Sequence, residues 1–218
     1  MMSLTQTLIE QAEPHWAEYV QHPFVEQLAA GTLPETSFRH YLKQDYLYLF
    51  QYTRMFALAM YKSENFAQME TARGMAEAVL SEIDLHIAYC REWGISEAEL
   101  FATEESAACI AYTRYVLDCG ISGTLAELYA AVAPCMLGYA EIGKRIGAQP
   151  PVPGNPYQAW IDTYAAEDFQ QVAVDFSAFF DSLCQDLTPA QQAKIAHIFT
   201  TATRMEVAFW DMGLHCRM

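Results

Sequence analysis

Basic residues are scarce in this chain: 12 lysines and arginines stand against 27 aspartates and glutamates in 218 residues, a formal charge of -15. Such a surface repels phosphate backbones and anionic headgroups at long range, so neither nucleic acid nor membrane is an expected partner. Charged residues of both signs make up only 18%, against 53% hydrophobic ones. That apolar balance anticipates burial between subunits as well as within one core, and hence an oligomer. No apolar run approaches the roughly 18 residues needed to span a bilayer. The opening MMSLTQTLIEQAEPHW lacks the basic and apolar regions of a signal peptide, which points to a cytoplasmic protein.

No CxxC pair occurs among the six cysteines, Cys90, Cys109, Cys119, Cys135, Cys184 and Cys216, and most sit in helical, apolar contexts such as AYC and SLC. This is neither a disulfide framework nor a zinc site. HExxH, a P-loop, GxGxxG and GxSxG are also missing, which removes the commonest metal, phosphate, dinucleotide and serine-hydrolase readings. Glu82 and His86 stand at i and i+4, a spacing that allows metal ligation but more often gives a hydrogen-bonded pair. The doubled Glu-x-x-His of helical di-iron proteins does not occur. No metal and no bound cofactor is expected.

Strict alternation of apolar and polar residues is missing as well, whereas apolar residues recur at three- and four-residue spacing almost throughout. The chain therefore reads as all-α. A first helix runs from Ser3 to about Val20 with a bend at Pro14, and Pro23 opens a short second one. A long helix follows from Thr32-Leu-Pro34 to about Lys62, and another, entered at Ser63 to Gln68, closes at Gly94. Further helices are expected near 96–101, 104–118, 124–145, 156–165 and 167–186, with a last one from Thr188-Pro189 through Met212. Between them QPPVPGNP (149–156) is the one clear loop, since its prolines lack donors and restrict their predecessors. No repeat or linker divides residues 1–218, which read as a single domain, a helical bundle.

Three clusters stand out. Tyr41, Asp45, Tyr48 and Tyr52 share one helical face, and a carboxylate amid rings is costly to bury unless it bonds something specific. In AVAPCMLGY (131–139), Pro134 cannot donate to the carbonyl one turn back, and the disturbed helix can expose Cys135 to a pocket. Cys135 reads equally as a buried small hydrophobe or as a nucleophile, because sequence does not show what would lower its pKa. In EVAFWD (206–211), Glu206 shares a face with Phe209 and Trp210; it reads either as an acid among rings or as an edge residue paired with Arg204 or Lys194.

Taken together, YLKQDYLYL (41–49), AYTRY (111–115), APCMLGY (133–139), YQAWIDTYAAEDF (157–169) and EVAFWDMG (206–213) resemble, in order and spacing, the signatures of the TenA/thiaminase II family over essentially the whole chain. The resemblance implies the heme-oxygenase-like helical fold, a homotetramer, and hydrolysis of thiamin-derived aminopyrimidines. It implies Cys135 as nucleophile, Glu206 as acid, Asp45 as the active-site aspartate, and Tyr48, Tyr112, Tyr139, Tyr164 and Phe209 as the frame of a flat ring. Retention of Cys135 is similar to the cysteine-bearing branch. Two other readings remain open. One is a helical metal-dependent oxidase of the same fold, against which the missing ligand motif argues. The other is a non-catalytic thiamin or pyrimidine binder with a regulatory role, which would not need a thiol beside a proline.

Overall fold

A computed structural model describes residues 3–218. Eleven helices and no strand occur among the described residues: α1 (Leu4–Gln11), α2 (His15–Val20), α3 (Pro23–Ala29), α4 (Glu35–Lys62), α5 (Phe66–Glu92), α6 (Glu97–Phe101), α7 (Ala107–Ser122), α8 (Leu125–Gly147), α9 (Gln158–Ala165), α10 (Glu167–Leu183) and α11 (Pro189–His215). They build two compact units, one from residues 3–33 with Tyr129–Trp210, the other from Pro34–Leu128 with Asp211–Met218.

Most boundaries lie where the capping residues predict them. Asn65 accepts from the amide of Gln68 at 3.0 Å to start α5, and Gly94, at φ +70°, sits just past its end. Two differ. Pro14 breaks the first predicted helix into α1 and α2 instead of bending it, because it cannot donate to a preceding carbonyl. The helix expected at 104–118 begins at Ala107, where Ser106 caps the amide of Cys109, and it reaches Ser122. A buried glutamine explains the later start. Gln44, fully enclosed on α4, donates to the carbonyl of Glu104 at 2.9 Å and accepts from the amide of Ser106 at 2.8 Å. The first bond takes the Glu104 carbonyl that a helix starting there would have paired internally, and the second satisfies an amide that lies before the first intrahelical bond of α7.

In the second unit α4 packs on α5 and α7. Phe38 lies between Tyr89 and Trp93, at 6.3 and 4.6 Å between ring centroids. In the first unit α1 and α9 pack on α10, and Phe24 stacks on Trp210 at 4.9 Å. The loop after α8 is tied back by Asn155, whose side-chain amide donates to the carbonyls of Leu28 and Ala29, each at 3.1 Å, and whose oxygen accepts from the amide of Tyr157. α8 corrects one expectation: by length and composition it could cross a bilayer, although 78% of its apolar window is buried within the protein. That burial makes it a core helix.

Candidate functional site

The second unit holds Asp45, Tyr48 and Tyr112. Asp45 projects from α4 at 8% exposure with Tyr48 on the same face one turn on, and the ring of Tyr48 meets that of Tyr112 from α7 at 5.3 Å. Tyr52 extends the row at 5.4 Å from Tyr48. Burial pushes the Asp45 carboxyl up to about 7, and a hydrogen bond from Tyr41 offsets part of that rise. Asp45 has a further neighbour in His86 of α5, whose Nδ1 lies 3.6 Å from Oδ2. The His86 Nε2 bonds to the carbonyl of Leu42 at 2.8 Å. A carbonyl only accepts, so Nε2 carries the hydrogen. Glu82, one turn before His86, is likewise pushed up to about 7, first by burial and then by the charge of Asp45. The expected Glu82–His86 pairing thus becomes a three-membered cluster that includes Asp45.

The first unit holds Cys135, Tyr139, Tyr164, Glu206 and Phe209. Cys135 is half-buried on α8, and Tyr139, one turn on, meets the ring of Tyr164 from α9 edge-on at 4.9 Å. Tyr139 also lies 5.4 Å from Trp210, and Trp160 lies 4.5 Å from Tyr164, so the ring cluster joins α8, α9 and α11. Glu206 and Phe209 are each 2% exposed on α11, which removes the reading of Glu206 as an edge residue. α8 runs through Pro134 without a break.

Three residues that sequence reasoning passed over hold this arrangement. Gly143 lets α9 approach α8: a Cβ there would lie 2.2 Å from the carbonyl oxygen of Tyr164. Gln170 of α10 donates to the carbonyls of Ala140 and Tyr164, at 2.9 and 2.8 Å, and so clips the end of α9 to α8. Gly138 leaves room for Tyr19. The glycine spacing in LGYAEIG was the available signal; nothing local marks Gln170.

Burial pushes the thiols of Cys90, Cys109 and Cys184 up to about 12, which suits small buried hydrophobes. Among the described residues no group of three or more His, Cys, Asp or Glu side chains is placed to hold a metal ion.

A model of the TENA/THI-4/PQQC family matches residues 9–215. The chain belongs to that family. A Haemophilus influenzae protein described only as uncharacterized is 61% identical over 212 residues, 97% of this chain and 99% of its own length. An aminopyrimidine aminohydrolase from Halalkalibacterium halodurans is 39% identical, with 100% of this chain and 98% of the relative aligned. Among solved structures, a TenA family transcription regulator from Silicibacter superposes with a TM-score of 0.92 at 43% identity, covering 97% of this chain and 96% of that one. A Shewanella denitrificans domain with a heme oxygenase-like fold superposes with a TM-score of 0.76 at 11% identity, covering 98% of this chain and 92% of that one. That likeness shows the fold alone.

Proposed function

We propose that this chain hydrolyses thiamin-derived aminopyrimidines, converting 4-amino-5-aminomethyl-2-methylpyrimidine to the 5-hydroxymethyl compound and ammonia by covalent catalysis at Cys135. The observation that carries the reading is a half-buried thiol one turn from a tyrosine that packs edge-on against Tyr164, in a chain 39% identical over its whole length to a protein named for this activity.

Direct attack by water on a methylene attached to an aromatic ring is slow, and a covalent detour lowers that barrier. The Cys135 thiolate adds to the ring carbon beside the substituted one, forming a C–S bond, while Glu206 gives its proton to a ring nitrogen. Glu206 is 2% exposed, and this step needs it as the neutral acid. With aromaticity broken, the ring electrons expel the amine, which leaves as ammonia once protonated. Water adds at the methylene and loses a proton. The C–S bond then breaks, the ring nitrogen returns its proton to Glu206, and the ring becomes aromatic again. Asp45 accepts a hydrogen bond from the exocyclic amino group. Tyr48, Tyr112, Tyr139, Tyr164 and Phe209 stack on the ring or frame it. Thiamin, with its thiazolium as leaving group, is the poorer alternative substrate.

The regulator description of the Silicibacter structure favours a second reading, a binder of the same ring without turnover. Incubation with the aminomethylpyrimidine separates the two: formation of the hydroxymethyl product with equimolar ammonia supports hydrolysis, and binding without product supports the regulator. We further propose that copies of the chain assemble into a homotetramer. Tyr61, Phe66 and Leu85, at 85%, 75% and 72% exposure on α4 and α5, are the side chains with most to gain from that burial.

A further inference from the structure

We propose that His86 is a positioning residue for Asp45: its Nδ1 accepts a hydrogen bond from the protonated carboxyl of Asp45, leaving the other carboxyl oxygen as a pure acceptor that selects an amino over an oxo substituent on the pyrimidine. The proposal rests on the aminopyrimidine reading and deepens it, by naming the group that sets its specificity.

The carbonyl of Leu42 fixes the hydrogen of the imidazole on Nε2. Burial lowers the His86 pKa, so the ring is neutral at physiological pH and Nδ1 is bare. That bare nitrogen faces Oδ2 of Asp45 at 3.6 Å, just beyond hydrogen-bond length and closed by a small rotation of either side chain. With both side chains buried, an acceptor facing a carboxylate would be two acceptors opposed, which is costly. A proton between them removes the conflict. The surroundings keep it there. Glu82 from α5 is itself pushed up, first by burial and then by the charge of Asp45, so two anions side by side are disfavoured. Cys90 from α5 and Cys109 from α7 are pushed up first by burial and stay neutral thiols. The Tyr41 hydroxyl donates to the carboxyl from the same helix.

With Oδ2 committed to His86, the remaining oxygen has lone pairs and no hydrogen. An exocyclic amino group donates to it. An oxo group in the same place would set acceptor against acceptor, a mismatch that buried sites reject strongly.

Two substitutions separate this role from bracing. His86→Gln keeps a donor near the Nε2 position for Leu42 but loses the group at Nδ1; His86→Asn keeps a polar atom near Nδ1 and loses the Leu42 bond. Binding of 4-amino-5-hydroxymethyl-2-methylpyrimidine and of its 4-oxo analogue is measured by calorimetry for the full chain and both variants. The preference for the amino ring is expected to fall by about tenfold or more in His86→Gln, to hold within about threefold in His86→Asn, and to appear in KM rather than kcat wherever turnover is seen. Equal loss of preference in both variants, or retention in His86→Gln, overturns the proposal. Should neither variant fold, the 15N resonances of His86 in the native chain decide: an unprotonated Nδ1 that hydrogen-bonds supports it, and a protonated Nδ1 overturns it. Binding without turnover by the native chain would reject the hydrolase reading and leave this inference standing. Failure to bind either ring would overturn the specificity claim together with the aminopyrimidine reading.

Discussion

Gly138 and Tyr19 stand so close that a Cβ on the glycine would lie 1.9 Å from Cε1 of the tyrosine ring. Tyr19 is fully buried, with Trp16 edge-on at 5.8 Å and Trp210 at 6.4 Å, so its ring has nowhere to retreat. The Gly-Tyr of APCMLGY thus serves packing at Gly138 and faces Tyr164 at Tyr139.

Gly138→Ala is therefore expected to cost about 3 kcal/mol, the upper end for overpacking, or about 6–12 °C in melting temperature for a chain of this size. Thermal denaturation monitored by circular dichroism checks it. Combined with Tyr19→Ala, Gly138→Ala should cost less than the sum of the two single substitutions, since the clash needs both partners. An unchanged melting temperature would mean that α8 and α2 separate freely.

Asp45 should trade stability for function. Its folded pKa is raised from 3.8 to about 7, so the stability it contributes is fully present below its unfolded pKa and is lost as pH rises through about 7. Asp45→Asn removes that loss. The variant is expected to match the native chain near pH 4 and to exceed it increasingly up to pH 8, by about 2–4 kcal/mol from the linkage of one such shift. Melting temperatures across that range test it, while activity falls at every pH.

Gln44 is the residue on which the start of α7 depends. Gln44→Leu leaves the Glu104 carbonyl and the Ser106 amide without their partner, at about 1–3 kcal/mol for each group that stays buried. Because α7 carries Tyr112 against Tyr48, substrate binding should weaken along with stability. A KM equal to that of the native chain would show that the start of α7 does not control Tyr112.

Thiol reactivity should divide the cysteines. Iodoacetamide at neutral pH is expected to modify Cys135, which is half-buried, and Cys216, which is exposed, while Cys90, Cys109 and Cys184 stay unmodified at thiol pKa values of about 12. Peptide mass mapping gives the answer. Loss of activity should track modification of Cys135 alone.

Much of this was legible before any coordinates. Helix starts at Ser3, Ser96 and Thr188 are local events, written in a capping side chain and the amides it satisfies. The ring stripe of α4 and the Glu206–Phe209 face follow from helical spacing, and only the family resemblance gave these residues chemical roles. Three things were not legible. The late start of α7 is set by Gln44, about sixty residues earlier, and no local pattern reports a bond of that range. His86 was visible only as a partner for Glu82, because i,i+4 spacing says nothing about the helix across the interface. Gln170 reads as one more polar residue on an amphipathic helix until its two carbonyl partners are seen.

The most direct test of the account is the rate of ammonia release from 4-amino-5-aminomethyl-2-methylpyrimidine by the native chain and by Cys135→Ala. Covalent catalysis predicts product from the native chain and a rate lower by about a thousandfold or more in the variant, with the fold and the affinity for the hydroxymethyl product retained. Equal rates in the two proteins would contradict it.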